Sequence, residues 1–312
     1  MPYTNLISRT DAAALIPEEV ASEIITKMPE QSAALRLFKR VPMSRNQQRL
    51  PVLSVLPIAY WVAGDTGLKQ TTEANWANKF LNAEEIACIV PIPEAVLDDT
   101  AFDVWGEVRP LMEEAIGRTF DAAIFFGVNK PASFPTDIVT AAVAAGNTVN
   151  RGTNAAALGG IAGDISDVFG TVEADGYDVN GMIAVRSYRG RLRQVRSTVG
   201  EKLMEVSPTE AYGVAIAYPM RGLWPTGAGS AEVIAGDFAS QGVVAVRQDI
   251  TYKVLSEAVI QDNAGAIVYN LAQQDMVALR VVFRGAFQVA NVINNDQPVE
   301  ANRYPFGVLR AP

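Results

Sequence analysis

The chain has 312 residues, 49% hydrophobic and 19% charged, with 34 Asp and Glu against 26 Lys and Arg for a net charge of −8. This is the composition of a folded globular chain with room for a large core, and it excludes both a disordered chain and one built throughout to bind polyanions. Histidine is absent, which excludes Ser-His-Asp and Cys-His nucleophilic chemistry and zinc sites built on His, leaving carboxylates, Lys and Tyr.

Residues 1–15 are small, polar and without period, and read as an N-terminal arm; no basic region followed by an apolar stretch marks a signal peptide. A short helix follows. Pro17 suits its first position, Glu18 and Glu19 its positive end and Lys27 its negative end, and Ile16, Val20, Ile24 and Met28 form one apolar face. Residues 35–38 lead into a strand-like stretch over 39–53. Two apolar arms, 50–63 and 76–97, then flank a polar tip at 64–73. A hairpin that long buries little against its own chain, so its partner is expected to be another subunit. Trp61 and Trp76 bracket the tip, either as a local aromatic cluster closing the hairpin or as anchors in a neighbouring subunit, where Trp is enriched. Cys88 is the only cysteine; it lies in an apolar run, cannot form an intrachain disulfide and suits a reducing place of synthesis.

A long amphipathic helix is predicted over 103–126. Val104, Val108, Leu111, Met112, Ala115, Ile116, Phe120, Ala123 and Ile124 follow helical spacing, with Arg109 and Glu113 on the polar side and Glu114 placed to pair with Arg118. At 1.5 Å per residue it makes a rod of roughly 36 Å, stopped by Gly127 and Pro131. From about 130 to 236 the texture shifts to Ala, Gly and short elements, an α/β insert: a helix over 132–145, another capped by Asp164, strands at 182–185 and 213–218, and a basic helix or turn-rich segment over 187–199. Beyond Gly236-Asp237-Phe238, residues 244–254 and 277–289 alternate as long half-buried strands. Residues 291–312, with three prolines, read as an extended tail. No stretch of about 18 apolar residues suggests a membrane span.

The carriers of a resemblance are Leu15-Ile16-Pro17-Glu18-Glu19-Val20, the loop bounded by Trp61 and Trp76, the acidic entry Pro93-Glu94-Ala95-Val96-Leu97-Asp98-Asp99 and Gly236-Asp237-Phe238. In this order the chain resembles the major capsid proteins of tailed double-stranded DNA phages, with the α+β HK97-like fold. The resemblance implies an arm at 1–15 and a peripheral domain from 16–53 and 85–129 with spine helix 103–127. It further implies an extended loop at 54–84, an axial domain at 130–236, return strands at 237–290 and a tail at 291–312. The implied function is structural: pentamers and hexamers forming an icosahedral shell around packaged DNA bound without sequence recognition. Portal and scaffolding or decoration proteins are the implied further partners, the virion capsid the location and the bacterial host cytoplasm the place of assembly, with no membrane, cofactor, metal or catalytic residue. The long N-terminal scaffolding helix of many relatives has no counterpart before the first helix.

The subunit-interface candidates are Trp61, Lys69, Trp76, Arg186, Arg189, Arg191, Arg193 and Arg196. The arginine run has no acid between Asp178 and Glu201; it suits phosphate contacts or pairing with carboxylates of a neighbouring subunit. Some relatives join subunits by a Lys–Asn isopeptide bond. Lys69 with Asn291, Asn294 or Asn295 would be the counterpart here, against the plainer reading of Lys69 as a solvated or salt-bridged loop lysine. The 158–164 turn lacks the spacing of a phosphate-binding loop. Encapsulin, a shell protein of the same fold, is one alternative. A carboxylate-based enzyme is the other, motivated by Glu84-Glu85, Asp98-Asp99 and the α/β insert.

Overall fold

The computed structural model describes residues 32–62, 67–99, 103–196, 206–262 and 264–312. The N-terminal arm and the helix expected over 16–28 lie outside them. In chain order the elements are α1 (Ala33–Leu37), β1 (Lys39–Pro42), β2 (Gln47–Val55), β3 (Asn75–Asn82), β4 (Glu84–Pro93), α2 (Glu94–Asp99) and α3 (Val104–Phe126). These are followed by α4 (Ile138–Ala145), β5 (Thr148–Asn150), α5 (Ile161–Ala174), β6 (Gly181–Ala184), α6 (Tyr188–Gln194), β7 (Glu210–Ala211), β8 (Val214–Ala217) and β9 (Ala231–Gly236). Last come α7 (Phe238–Gln241), β10 (Gly242–Leu255), β11 (Val259–Gln261), β12 (Ile267–Asn270), β13 (Met276–Val289) and β14 (Phe306–Arg310).

The long helix forms where its caps and period place it. The Asp103 side chain accepts from Gly106 N at 3.0 Å, and Gly127 closes the helix in the left-handed conformation at φ 67°. Its inward rows are Met112–Ile116–Phe120–Ile124 and Glu114–Gly117–Asp121–Phe125, all buried. Leu111, expected inside, is 48% exposed, and Ala115 and Thr119 share its outward row. The correction has a physical cause. Helical residues turn by about 100° per step, so a helix covered on two sides leaves one row out, and here the polar Glu114 and Asp121 took inward places. Glu114 is satisfied by Arg118 at 2.8 Å, the expected pair.

α3 lies over a four-stranded sheet of order β1-β10-β13-β4. β13 pairs antiparallel with β4 from Met276↔Pro93 to Gly285↔Glu84, and with β10 through two irregularities near Gln248. Alternation holds only along the outer half of β10, for Val243, Val244 and Ala245 are all buried. Val254, expected inside, is exposed. A hairpin of β11 and β12, unseen in the sequence, follows.

The predicted hairpin return divides at Ala83. β3 pairs with β2, whereas β4 belongs to the four-stranded sheet. Two expected helix starts also move. α4 begins at Ile138 because Asp137 accepts from Thr140 N at 3.0 Å, and Asp164 sits inside α5 rather than capping it.

The tail is not an extended end. β14 is an inner strand of the six-stranded sheet β5-β14-β9-β6-β8-β7, parallel to β5 and antiparallel to β9. Phe306, Val308 and Leu309 have no exposure. Polar groups hold the approach: Tyr304 N donates to Asp175 Oδ2 at 2.9 Å, and the buried Arg303 donates to Pro298 O at 2.7 Å. A cluster of Phe38, Phe125, Phe238, Phe287 and Phe306 lies between the two sheets, with rings 5.4–6.2 Å from that of Phe38. Gly236-Asp237-Phe238 acquires its meaning there. A Cβ on Gly236 would stand 2.2 Å from Pro305 O, Asp237 caps α7 through Ser240 N at 3.0 Å, and Phe238 fills the cluster.

Candidate assembly surfaces

The β2–β3 ladder runs from Gln47↔Asn82 to Val55↔Asn75. Past Val55 the described backbone continues without a ladder, one tie being Ile58 N donating to Thr72 Oγ1 at 2.9 Å. Apolar side chains along it face outward: Ile58, Tyr60, Val62 and Phe80, with Trp61 at 104% relative exposure and Leu68 at 92%. Trp76 is also exposed and, among the described residues, no ring contact joins it to Trp61. The local aromatic cluster is therefore not what these tryptophans form. Single exposed apolar residues are ordinary, whereas a run of them on one projection is not. Lys69 lies exposed on the same projection.

The arginine run does not act as one surface. α6 is anchored by Tyr188 and Leu192, both buried. The Arg189 guanidinium stacks over the Tyr218 ring at 4.0 Å, and Arg191 donates to Glu232 Oε1 at 2.7 Å. Glu232 also takes Arg151 at 2.8 Å, so one β9 carboxylate holds two arginines of its own chain. Arg186 is half-buried. Arg193 and Arg196 are exposed, and Arg196 Nη1 donates to the carbonyls of Arg193 and Val195. Burial pushes the Tyr188 hydroxyl well above the usual tyrosine range, helped by Glu232 and Asp164 nearby, and so keeps it neutral.

The acidic pairs are divided among separate partners. Glu84 accepts from Ser133 Oγ at 2.6 Å and Glu85 from Arg284 Nε at 2.7 Å, while Asp98 and Asp99 are exposed on α2. Asp164 is fully buried and accepts from Gly152 N and Asn154 N at 2.7 and 2.9 Å, so the glycine turn before α5 is organised around a carboxylate. Among the described residues, no group of three or more His, Cys, Asp or Glu could hold a metal ion. Two of the three asparagines considered for an isopeptide bond are engaged within the subunit. Asn291 is buried, accepts from Tyr177 Oη at 2.8 Å and donates to Arg303 O at 3.3 Å; Asn294 donates to Asp175 O at 2.6 Å.

Sequence reasoning missed the β11–β12 hairpin, where Val259, Ile267 and Val268 are exposed. Its only signal was the short apolar run 266–269 beside a Gly-containing turn.

The comparisons with known proteins agree with this architecture. The model of the phage capsid family matches residues 12–292. The major capsid protein of Staphylococcus phage 80alpha is 26% identical over 292 residues, covering 92% of this chain and 85% of that protein. A solved chain from Microbacterium phage Oxtober96 superposes with a TM-score of 0.86 at 39% identity, covering 99% of this chain and 100% of that one. One from Mycobacterium phage Cain gives a TM-score of 0.86 at 31% identity, covering 99% of each.

Proposed function

The chain belongs to the phage capsid family, as a major capsid protein of a tailed phage, and we propose that the β2–β3 projection, residues 54–84, lies across a neighbouring copy in the shell. The shell is icosahedral, built of pentamers and hexamers around packaged double-stranded DNA. The observation that carries this reading is the run of outward apolar side chains led by Trp61 and Leu68, which only an intermolecular contact removes from water. Trp61 and Trp76 act as the anchors, and Lys69 lies at the margin of the contact. Of the arginines, Arg193 and Arg196 remain outward for a partner subunit or nucleic-acid phosphates, while Arg189 and Arg191 brace α6. Portal and scaffolding or decoration proteins complete the set of partners. The role is structural, with no reaction assigned to any residue.

Deleting residues 64–73 tests the reading. The expected product is a soluble subunit with native circular dichroism that stays small on size-exclusion chromatography under conditions where the full chain forms shells. Shells of normal size from the deleted chain would contradict the role of the projection.

A further inference from the structure

The four-stranded sheet has one face towards α3 and one face open. Phe283 of β13 meets Phe120 of α3 edge-on at 5.5 Å and shares its core with Leu279 and Val281. By alternation Arg280, Val282 and Arg284 point the other way. The register sets Lys253, Arg280 and Ile89 side by side across β10, β13 and β4 on that open face. Lys253 and Ile89 are exposed and Arg280 is half-buried. Like charges directly opposite on neighbouring strands repel and cost stability. Neither cation has a hydrogen-bond or ion-pair partner among the described residues, and Arg280 Nε is also shielded from water. Glu85, the acid in register on this face, is held by Arg284 Nε at 2.7 Å.

The complementary features occur together on the β2–β3 projection. Glu73 is exposed, likewise without a partner among the described residues, and stands three residues before the exposed Trp76. We propose that the open face at Lys253 and Arg280 is the seat of a neighbouring copy's projection, with Glu73 paired to the two cations and Trp76 laid against Ile89 and the Arg280 guanidinium. The inference rests on the role proposed above for the projection. Charge decides the occupant: a carboxylate relieves the repulsion between the opposed cations, and an indole face attracts a guanidinium. Apolar contact agrees, since Trp76 and Ile89 are both left to water in the lone subunit. Seat and projection are different surfaces, so the contact is head-to-tail and passes from copy to copy around a ring.

Charge reversal on the full chain tests this, with shells scored by negative-stain microscopy of purified protein free of nucleic acid and folding checked by circular dichroism. Glu73→Lys and Lys253→Glu, both at exposed positions, should each raise the chain concentration needed for shells about tenfold. The two together should bring it back close to the parent value. No recovery in the double variant, with native circular dichroism, would overturn the pairing. Shells from Lys253→Glu as readily as from the parent would also overturn it and leave the cations to nucleic-acid phosphates. Trp61→Ala with Trp76→Ala in the same assay separates the seat from the role of the projection. Dispersed subunits from that variant beside unaffected charge variants would refute the seat alone, whereas shells from all of them would refute both.

Discussion

Asp121 sits on the inner side of α3 with no exposure, facing the start of α1. Burial pushes its carboxyl up to about 6, against three hydrogen bonds and the Arg36 charge, which act the other way. A raised carboxyl favours folding most when protonated. Its contribution is therefore fully present below the unfolded value of about 3.9 and is lost as pH rises through about 6. That amounts to something on the order of 3 kcal/mol at most. Asp121→Asn should thus compare worst with the parent chain near pH 4 and steadily better towards pH 7 in urea melts of unassembled subunits. A stability difference independent of pH over that window would contradict this assignment. On the same helix, Ile116→Ala should cost about 2–5 kcal/mol by leaving a cavity, whereas the half-exposed Leu111→Ala should cost about 0.5 kcal/mol or less. Equal losses in thermal melts would mean that α3 is turned the other way. Reading the sequence put Leu111 inside because hydrophobic spacing alone cannot reveal that two acids turn inward: the Glu114–Arg118 pair was legible but its burial was not, and Asp121 is satisfied by α1 amides that lie 87 and 88 positions away. The arginine run misled for a related reason: Glu232, the partner of Arg191, lies 41 positions away along the chain.

At the scale of elements, what was legible was what is local. Asp103, Gly127 and a helical period mark α3 without help from the rest of the chain, and a period-two stretch marks the outer half of β10, whereas β13, expected to be half-buried, has Val281, Val282 and Phe283 buried in succession. β14 was illegible because five residues beside prolines carry no period. Its strand character comes from β5 and β9, roughly 160 and 70 residues earlier, each presenting a free edge that it fills. The hairpin return was misdivided because β3 and β4 are separated by Ala83 alone, which no turn residue announces. The apolar projection itself was visible in the sequence, but the separation of Trp61 from Trp76 was not, since it depends on the path of the chain beyond Val55. Ending the chain after Tyr304 should expose β9 and remove Phe306, Val308 and Leu309 from both cores. The six-stranded sheet is then expected to lose protection in hydrogen exchange while β10 and β13 keep more of theirs. Unchanged protection of β6 and β9 would show that β14 only decorates the sheet.

For the whole molecule, the described residues form a main core that contains the phenylalanine cluster and two smaller cores, and much of the apolar surface left over lies on the two projecting hairpins. That division suits a shell protein, in which folding within a subunit and contact between subunits draw on different residues. No helix among the described residues is long and apolar enough to cross a membrane, and the virion capsid is where this chain belongs. Assembly of purified chains through the β2–β3 projection is the step on which the proposed function rests. Negative-stain microscopy of the full chain and of Trp61→Ala with Trp76→Ala, at matched concentration and salt, tests it most directly. The account predicts closed shells or capsomer rings from the full chain and dispersed, folded subunits from the variant; dispersed subunits from both, across concentrations and salts, or intact shells from both, would contradict it.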